Sequence, residues 1–117
     1  MATIYRYEDK TGEGPYRCDR VERNVIDINI LHNAHNNAKK RPAWGTDFKS
    51  SRMYASKYLS GCLTIKDLKK WFWGFNPLLK KHEFFIVKYN VKDLEIGKSK
   101  KQIRFYKDDI ISKERVN

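Results

Sequence analysis

A chain of 117 residues carrying 25 Lys and Arg against 14 Asp and Glu has a formal charge of +11, and its length suits one domain, residues 1–117. A hydrophobic content of 40%, with 14% aromatic residues, excludes a disordered polyelectrolyte and assigns much of the core to Tyr, Phe and Trp. The charge selects anionic partners, whether nucleic acid, a lipid face or an acidic protein surface, and does not select a fold.

The first predicted element is a strand over residues 4–8, with Tyr5 and Tyr7 on one face and Ile4 and Arg6 on the other. Gly12, Gly14 and Pro15 end it in a turn, and Tyr16-Arg17 follows. Glu8, Asp9 and Glu13 read as exposed carboxylates of that turn, too close together for a general acid and base. Residues 22–38 place Ile28, Leu31, Ala34 and Ala38 at helical spacing, against a shorter alternation of Ile26, Ile28 and Ile30; the longer pattern predicts a helix. Asn36, Asn37, Pro42 and Gly45 make a connection that holds the basic run Lys39-Lys40-Arg41.

Thr46 or Asp47 can cap a second helix, running to about Leu59 with Phe48, Ala55 and Leu59 inward. Ser60-Gly61 stops it. A third helix starts after Thr64, whose hydroxyl can accept from backbone N–H groups that lack partners. Ile65, Leu68, Trp71 or Phe72, and Phe75 form its apolar stripe. Lys69 and Lys70 fall near its C-terminus, where the dipole favours cations. Gly74 ends it. Asn76 as cap and Pro77 at the first helical position predict a short fourth helix to Lys81 or His82.

Residues 84–91 read as a central strand, 94–96 and 102–106 as two more with a Gly97–Lys101 turn between them. The tail, 108–117, reads either as a short strand at Ile110-Ile111 or as a frayed end. A strand, then helices, then strands predicts an α+β domain with a mainly antiparallel sheet and three to four helices.

Residues 1–17 are too polar for a signal peptide, and no apolar run nears the ~20 residues of a membrane span. The expectation is a soluble, intracellular protein in a reducing cytoplasm, with Cys18 and Cys62 reduced. With His32, His35 and His82 these cysteines match no zinc spacing, so no metal and no cofactor is expected. No nucleophile stands in a recognisable catalytic context, and Gly12-Glu13-Gly14 lacks the helix and third glycine of a dinucleotide loop.

Basic groups interleaved with aromatics are the stronger functional signal. Lys39-Lys40-Arg41 adjoins Trp44, Lys69-Lys70 adjoins Trp71 and Trp73, and the run from Lys98 through Lys100 and Lys101 to Arg104 adjoins Phe105 and Tyr106. Charge can track phosphates while rings stack on bases. Trp71 lies near the apolar stripe and reads as core, whereas Trp44 and Trp73 fit no apolar period and read as contact residues.

In order along the chain, Tyr5-Arg6-x-Glu8, Gly12-x-Gly14-Pro15-Tyr16-Arg17, Arg41-Pro42 with Asp47, Gly61-Cys62-x-Thr64, Leu68-x-x-Trp71-Phe72, Tyr89-x-Val91 and Gln102-Ile103-x-Phe105 resemble a group of small tailed-phage proteins. The resemblance spans roughly residues 4–106 and implies a phage origin without an activity. A second resemblance is to the ADP-ribosyltransferase-like fold, whose first strand bears an aromatic–Arg pair as Tyr5-Arg6 does, and which has a Ser/Thr-led segment before a helix, as at 60–64. It implies a pocket lined by Tyr5, Arg6, Thr64 and Gln102. Gln102 stands where that fold presents a catalytic carboxylate, and a neutral amide does not stabilise an oxocarbenium-like centre.

The function expected from these features is a phage-made binding protein that blocks or redirects a host machine, such as an anti-CRISPR inhibitor of host defence. Its partner would be a protein or protein–nucleic-acid complex with an acidic surface; direct DNA or RNA binding is the alternative, and a membrane is not expected. Arg and Trp are typical interface anchors. The candidate contact residues are Arg6, Arg17, Lys39, Lys40, Arg41, Trp44, Arg52, Trp73, Lys98, Lys100 and Lys101.

Overall fold

Two three-stranded antiparallel sheets meet where the backbone of residue 5 pairs with that of residue 62. The computed structural model describes residues 1–12, 14, 57–98, 100 and 102–116. The first sheet is ordered β1 (Ala2–Glu8), β3 (Phe85–Val91), β6 (Ile110–Arg115); the second is β2 (Tyr58–Gly61), β5 (Ile103–Tyr106), β4 (Glu95–Ile96). Helices α1 (Ile65–Trp71) and α2 (Asn76–Lys81) separate β2 from β3.

β3 is central, pairing β1 from Val91 opposite Ala2 to Phe85 opposite Glu8, and β6 from Val87 opposite Arg115. Its strict alternation divides the protein into two cores. Ile86 joins Tyr7, Cys62, Leu68, Phe72, Leu79 and Phe84 beneath the helices. Val87, Tyr89 and Val91 join Ile4, Ile103 and Phe105 between the sheets. The first sheet is therefore covered on one face by helices and on the other by the second sheet, a layering that lets a small chain bury both faces of one strand. Buried aromatic rings mesh across elements: Tyr7 meets Phe72 edge-on at 5.3 Å, and Tyr89 lies 5.1 Å from Phe105.

The chain is α+β and mainly antiparallel as its element order predicts. Among the described residues there are two α-helices and a 3₁₀ turn at Lys107–Asp109. The predicted helix over 22–38 lies outside the described residues, as does most of the one over 47–59. The described end of the latter is not helix: Tyr58 and Leu59 belong to β2, opposite Tyr106 and Phe105. Local sequence allows helix there, but the Tyr58–Tyr106 ring pair, 4.8 Å apart, and the place of Leu59 in the inter-sheet core favour a strand. The tail is a six-residue strand, longer than the two residues read from sequence.

The helix termini follow local chemistry closely. Thr64 Oγ1 accepts from the Asp67 backbone N–H at 3.0 Å, the cap its position predicts. Asn76 does something else. It is the first residue of α2, and its side chain reaches back, Nδ2 donating to the carbonyls of Lys69 (3.0 Å) and Phe72 (3.1 Å) while Oδ1 accepts from Tyr7 (2.6 Å). It thus gives the Lys69 carbonyl near the end of α1 a donor and adds a second to the Phe72 carbonyl, which also accepts from the Phe75 N–H. Helix α2 closes in a Schellman motif: Phe84 N–H donates to Leu79 and Glu83 N–H to Lys80, with Glu83 at φ 65°.

Candidate functional site

Sequence pattern alone divides the charged residues poorly, because among the described residues four are buried: Arg6, Glu8, Asp9 and Arg104. Glu8 is 1% exposed, which overturns its reading as a solvated turn residue. A carboxylate is tolerated at such depth only when paired and hydrogen-bonded. Arg6 Nε lies 3.0 Å from Glu8 Oε2, an ion pair by separation although the N–H is not aligned with the oxygen. Lys113 Nζ, from β6, lies 3.0 Å from Oε1. The Tyr89 hydroxyl donates to Oε2, and burial first, then that bond, pushes the phenol pKa up. Asp9, equally buried, accepts from the Thr11 backbone N–H and hydroxyl at 2.8 and 2.6 Å, closing the turn to Gly12.

Gly12 and Gly14 lie against this cluster. A side chain at Gly14 would stand 2.9 Å from Arg6 Nη2, so the glycine lets backbone pass over the guanidinium. Arg6 is accordingly a cluster member and not a solvent-exposed anchor. Arg104 is likewise withdrawn from the basic run that begins at Lys98: its Nε and Nη2 contact Glu95 Oε2 at 2.6 and 2.5 Å, and its guanidinium lies over the Tyr58 ring at 4.3 Å. Lys98 and Lys100 remain exposed. The signal for the buried pairs was present in the alternation, since Arg6 and Glu8 share a strand face.

The side chains of the suggested pocket are engaged in different ways. Tyr5 packs on the helix-side core whereas Arg6 points to the opposite face of β1. Thr64 is exposed and its hydroxyl is engaged in capping α1. Gln102 is buried just before β5, its carbonyl accepting from Gly97. Among the described residues no group of three or more His, Cys, Asp or Glu could hold a metal, and no helix is long and apolar enough to cross a membrane.

The clearest outward-facing arrangement is the α1–α2 hairpin. Leu68 and Phe72 turn inward. Lys66, Lys69 and Lys70 are exposed on α1, seven, four and three residues before Trp73. Trp73 itself is 77% exposed. It occupies a tight turn in which Phe75 N–H donates to Phe72 at 2.8 Å and Gly74 has φ 86°, a conformation glycine adopts without strain. Both neighbours of this turn, Phe72 and Phe75, are drawn into the core, which forces the tryptophan between them outward. Helix α2 adds exposed Lys80 and Lys81 in its last turn. Arg17, Lys39, Lys40, Arg41, Trp44, Arg52 and Lys101 lie outside the described residues.

A family model described as the Bacteriophage T4 Y00F protein matches residues 1–117. The chain belongs to this phage family. It is a phage-encoded protein. No curated protein and no solved structure matches it.

Proposed function

We propose that this phage protein is a binding protein that inhibits or redirects a macromolecular machine in the cytoplasm of the host, in the manner of a host-defence inhibitor such as an anti-CRISPR protein. The observation that carries the reading is the hairpin: a tryptophan 77% exposed, directly after a short helix that exposes three lysines. A large ring held in water by a rigid turn forgoes about 1.5–3 kcal/mol of burial, which a partner can recover, and the overall charge of +11 steers the protein toward an acidic surface. Lys98 and Lys100, exposed beside the β4–β5 connection, extend the positive field.

The test is capture from host lysate at physiological salt. The chain should recover one defined host complex in stoichiometric amount, and Trp73→Ala combined with Lys69→Glu and Lys70→Glu should release it. Recovery of no specific complex, or of the same complex by the triple variant, would overturn the reading.

A further inference from the structure

Within that reading of the hairpin as a partner surface, on which this inference rests, we infer that Trp73 is a base-stacking platform and that the partner chemistry is an unpaired nucleic-acid strand. Three observations separate this from docking onto an acidic protein. Trp73 is the one large apolar side chain of residues 65–81 that is exposed. A protein interface of ordinary size surrounds its anchor with further large apolar contacts; here Ile65, Trp71, Phe75 and Leu78 are partly buried, and Leu63, just before α1, is 43% exposed. The cations are all lysine: Lys66, Lys69, Lys70, Lys80 and Lys81, with Asp67 and Glu83 as the opposing carboxylates. Lysine is depleted from protein interfaces and arginine enriched, whereas a row of point charges suits phosphates along a strand. Finally, the turn beside the ring is uncrowded. A side chain built at Gly74 would meet nothing within 4 Å, so the glycine adds no bulk next to Trp73.

The pieces act together in a simple way. The ring takes the face of one base, which is sequence-tolerant because every base has a π-face. Lys69 and Lys70 precede the ring by three and four residues, and Lys66 lies one turn further back. They track the backbone on either side of the stacked base. Duplex DNA hides its base faces and would use only the lysines. The 2′-hydroxyl is not addressed by any of these groups, so DNA and RNA strands are equivalent for the ring and separated only by experiment.

Fluorescence anisotropy with labelled oligo(dT), oligo(U) and a duplex of matched length provides the test. The expected result is binding of one or both single strands, at least about tenfold tighter than duplex, since stacking is worth roughly one to two decades per base. Trp73→Ala should weaken single-strand binding about tenfold and leave the slope of log K against log salt unchanged; Trp73→Phe should restore most of the loss. Lys69→Ala and Lys70→Ala should each lower that slope by about 0.7. Because all three side chains are exposed, the urea midpoints of these variants should match the parent, which confirms folding. Equal binding to duplex, or no change with Trp73→Ala, overturns the inference. If no oligonucleotide binds while the same substitutions release a host protein complex, the stacking inference fails and the hairpin reading stands; if neither property responds, both fail.

Discussion

Gly61 passes directly against the carbonyl of Tyr5. A methyl group on its Cα would stand 2.5 Å from that oxygen and 2.7 Å from Ile4 Cγ2. The contact lies beside the bridge in which Tyr5 and Cys62 exchange backbone hydrogen bonds of 2.8 Å in both directions, the seam that joins the two sheets. Only a residue without a side chain lets the second sheet reach the first. Gly61→Ala should destabilise the protein by about 2–3 kcal/mol, in the upper range of overpacked cores, because backbone and not a flexible side chain must yield. A urea midpoint unchanged from the parent would show that the seam tolerates the methyl.

Asn76 connects three elements through one side chain, and its loss should exceed that of a surface hydrogen bond. Asn76→Ala leaves the Tyr7 hydroxyl and two helix-end carbonyls without this partner, for an expected cost of about 2–3 kcal/mol. Tyr7→Phe in the Asn76→Ala background should cost little further, since the orphaned hydroxyl is then removed. The double-mutant cycle by urea denaturation reads the coupling directly.

The Glu8 cluster should show the asymmetry of buried ion pairs. Glu8→Ala leaves the Arg6 charge in a buried site and should cost about 3–5 kcal/mol, whereas Tyr89→Phe removes one charge-assisted hydrogen bond and should cost about 1.5–3 kcal/mol. If chemical denaturation placed Glu8→Ala within about 0.5 kcal/mol of the parent, the range of an uninvolved surface site, the cluster would carry no stability.

Alkali should unfold the protein earlier than its surface charge requires. Burial, and secondarily the charge of Asp67, push the Cys62 thiol from 9.0 up to about 12; burial also raises Tyr7 and Tyr89 above 10.0. These groups stay protonated in the folded chain and ionise in the unfolded one. Their contribution is complete below the unfolded values and is lost as pH rises from 9.0 through the folded values. Thermal melts across this range should show a falling midpoint, and Cys62→Ala should remove the earliest part of the fall. An identical profile in Cys62→Ala would exclude the thiol as its source.

Glu83 occupies the left-handed position that ends α2, where a β-carbon costs roughly 1 kcal/mol. Glu83→Gly should therefore stabilise the protein by about 0.5 kcal/mol after the added freedom of the unfolded chain is offset. A lowered midpoint would mean that the Glu83 side chain contributes more than its backbone strain removes.

The sequence by itself determined the features that depend on near neighbours: the alternation of β1 and β3, the Thr64 cap, the inward stripe of α1, the turn at Gly74, and the excess of positive charge. Trp73 was legible as an outward-facing residue for the same reason, since it fits no apolar period between Phe72 and Phe75. Tertiary structure decided the rest. Leu59 became strand because β5 was there to pair with it. Asn76 capped the helix before its own because Tyr7 and the end of α1 were brought within reach. Glu8 and Arg104 sank into the protein because Tyr89, Lys113 and Glu95 met them there. A carboxylate or guanidinium has the same local propensity whether solvated or buried, and only long-range pairing decides which of the two costs less.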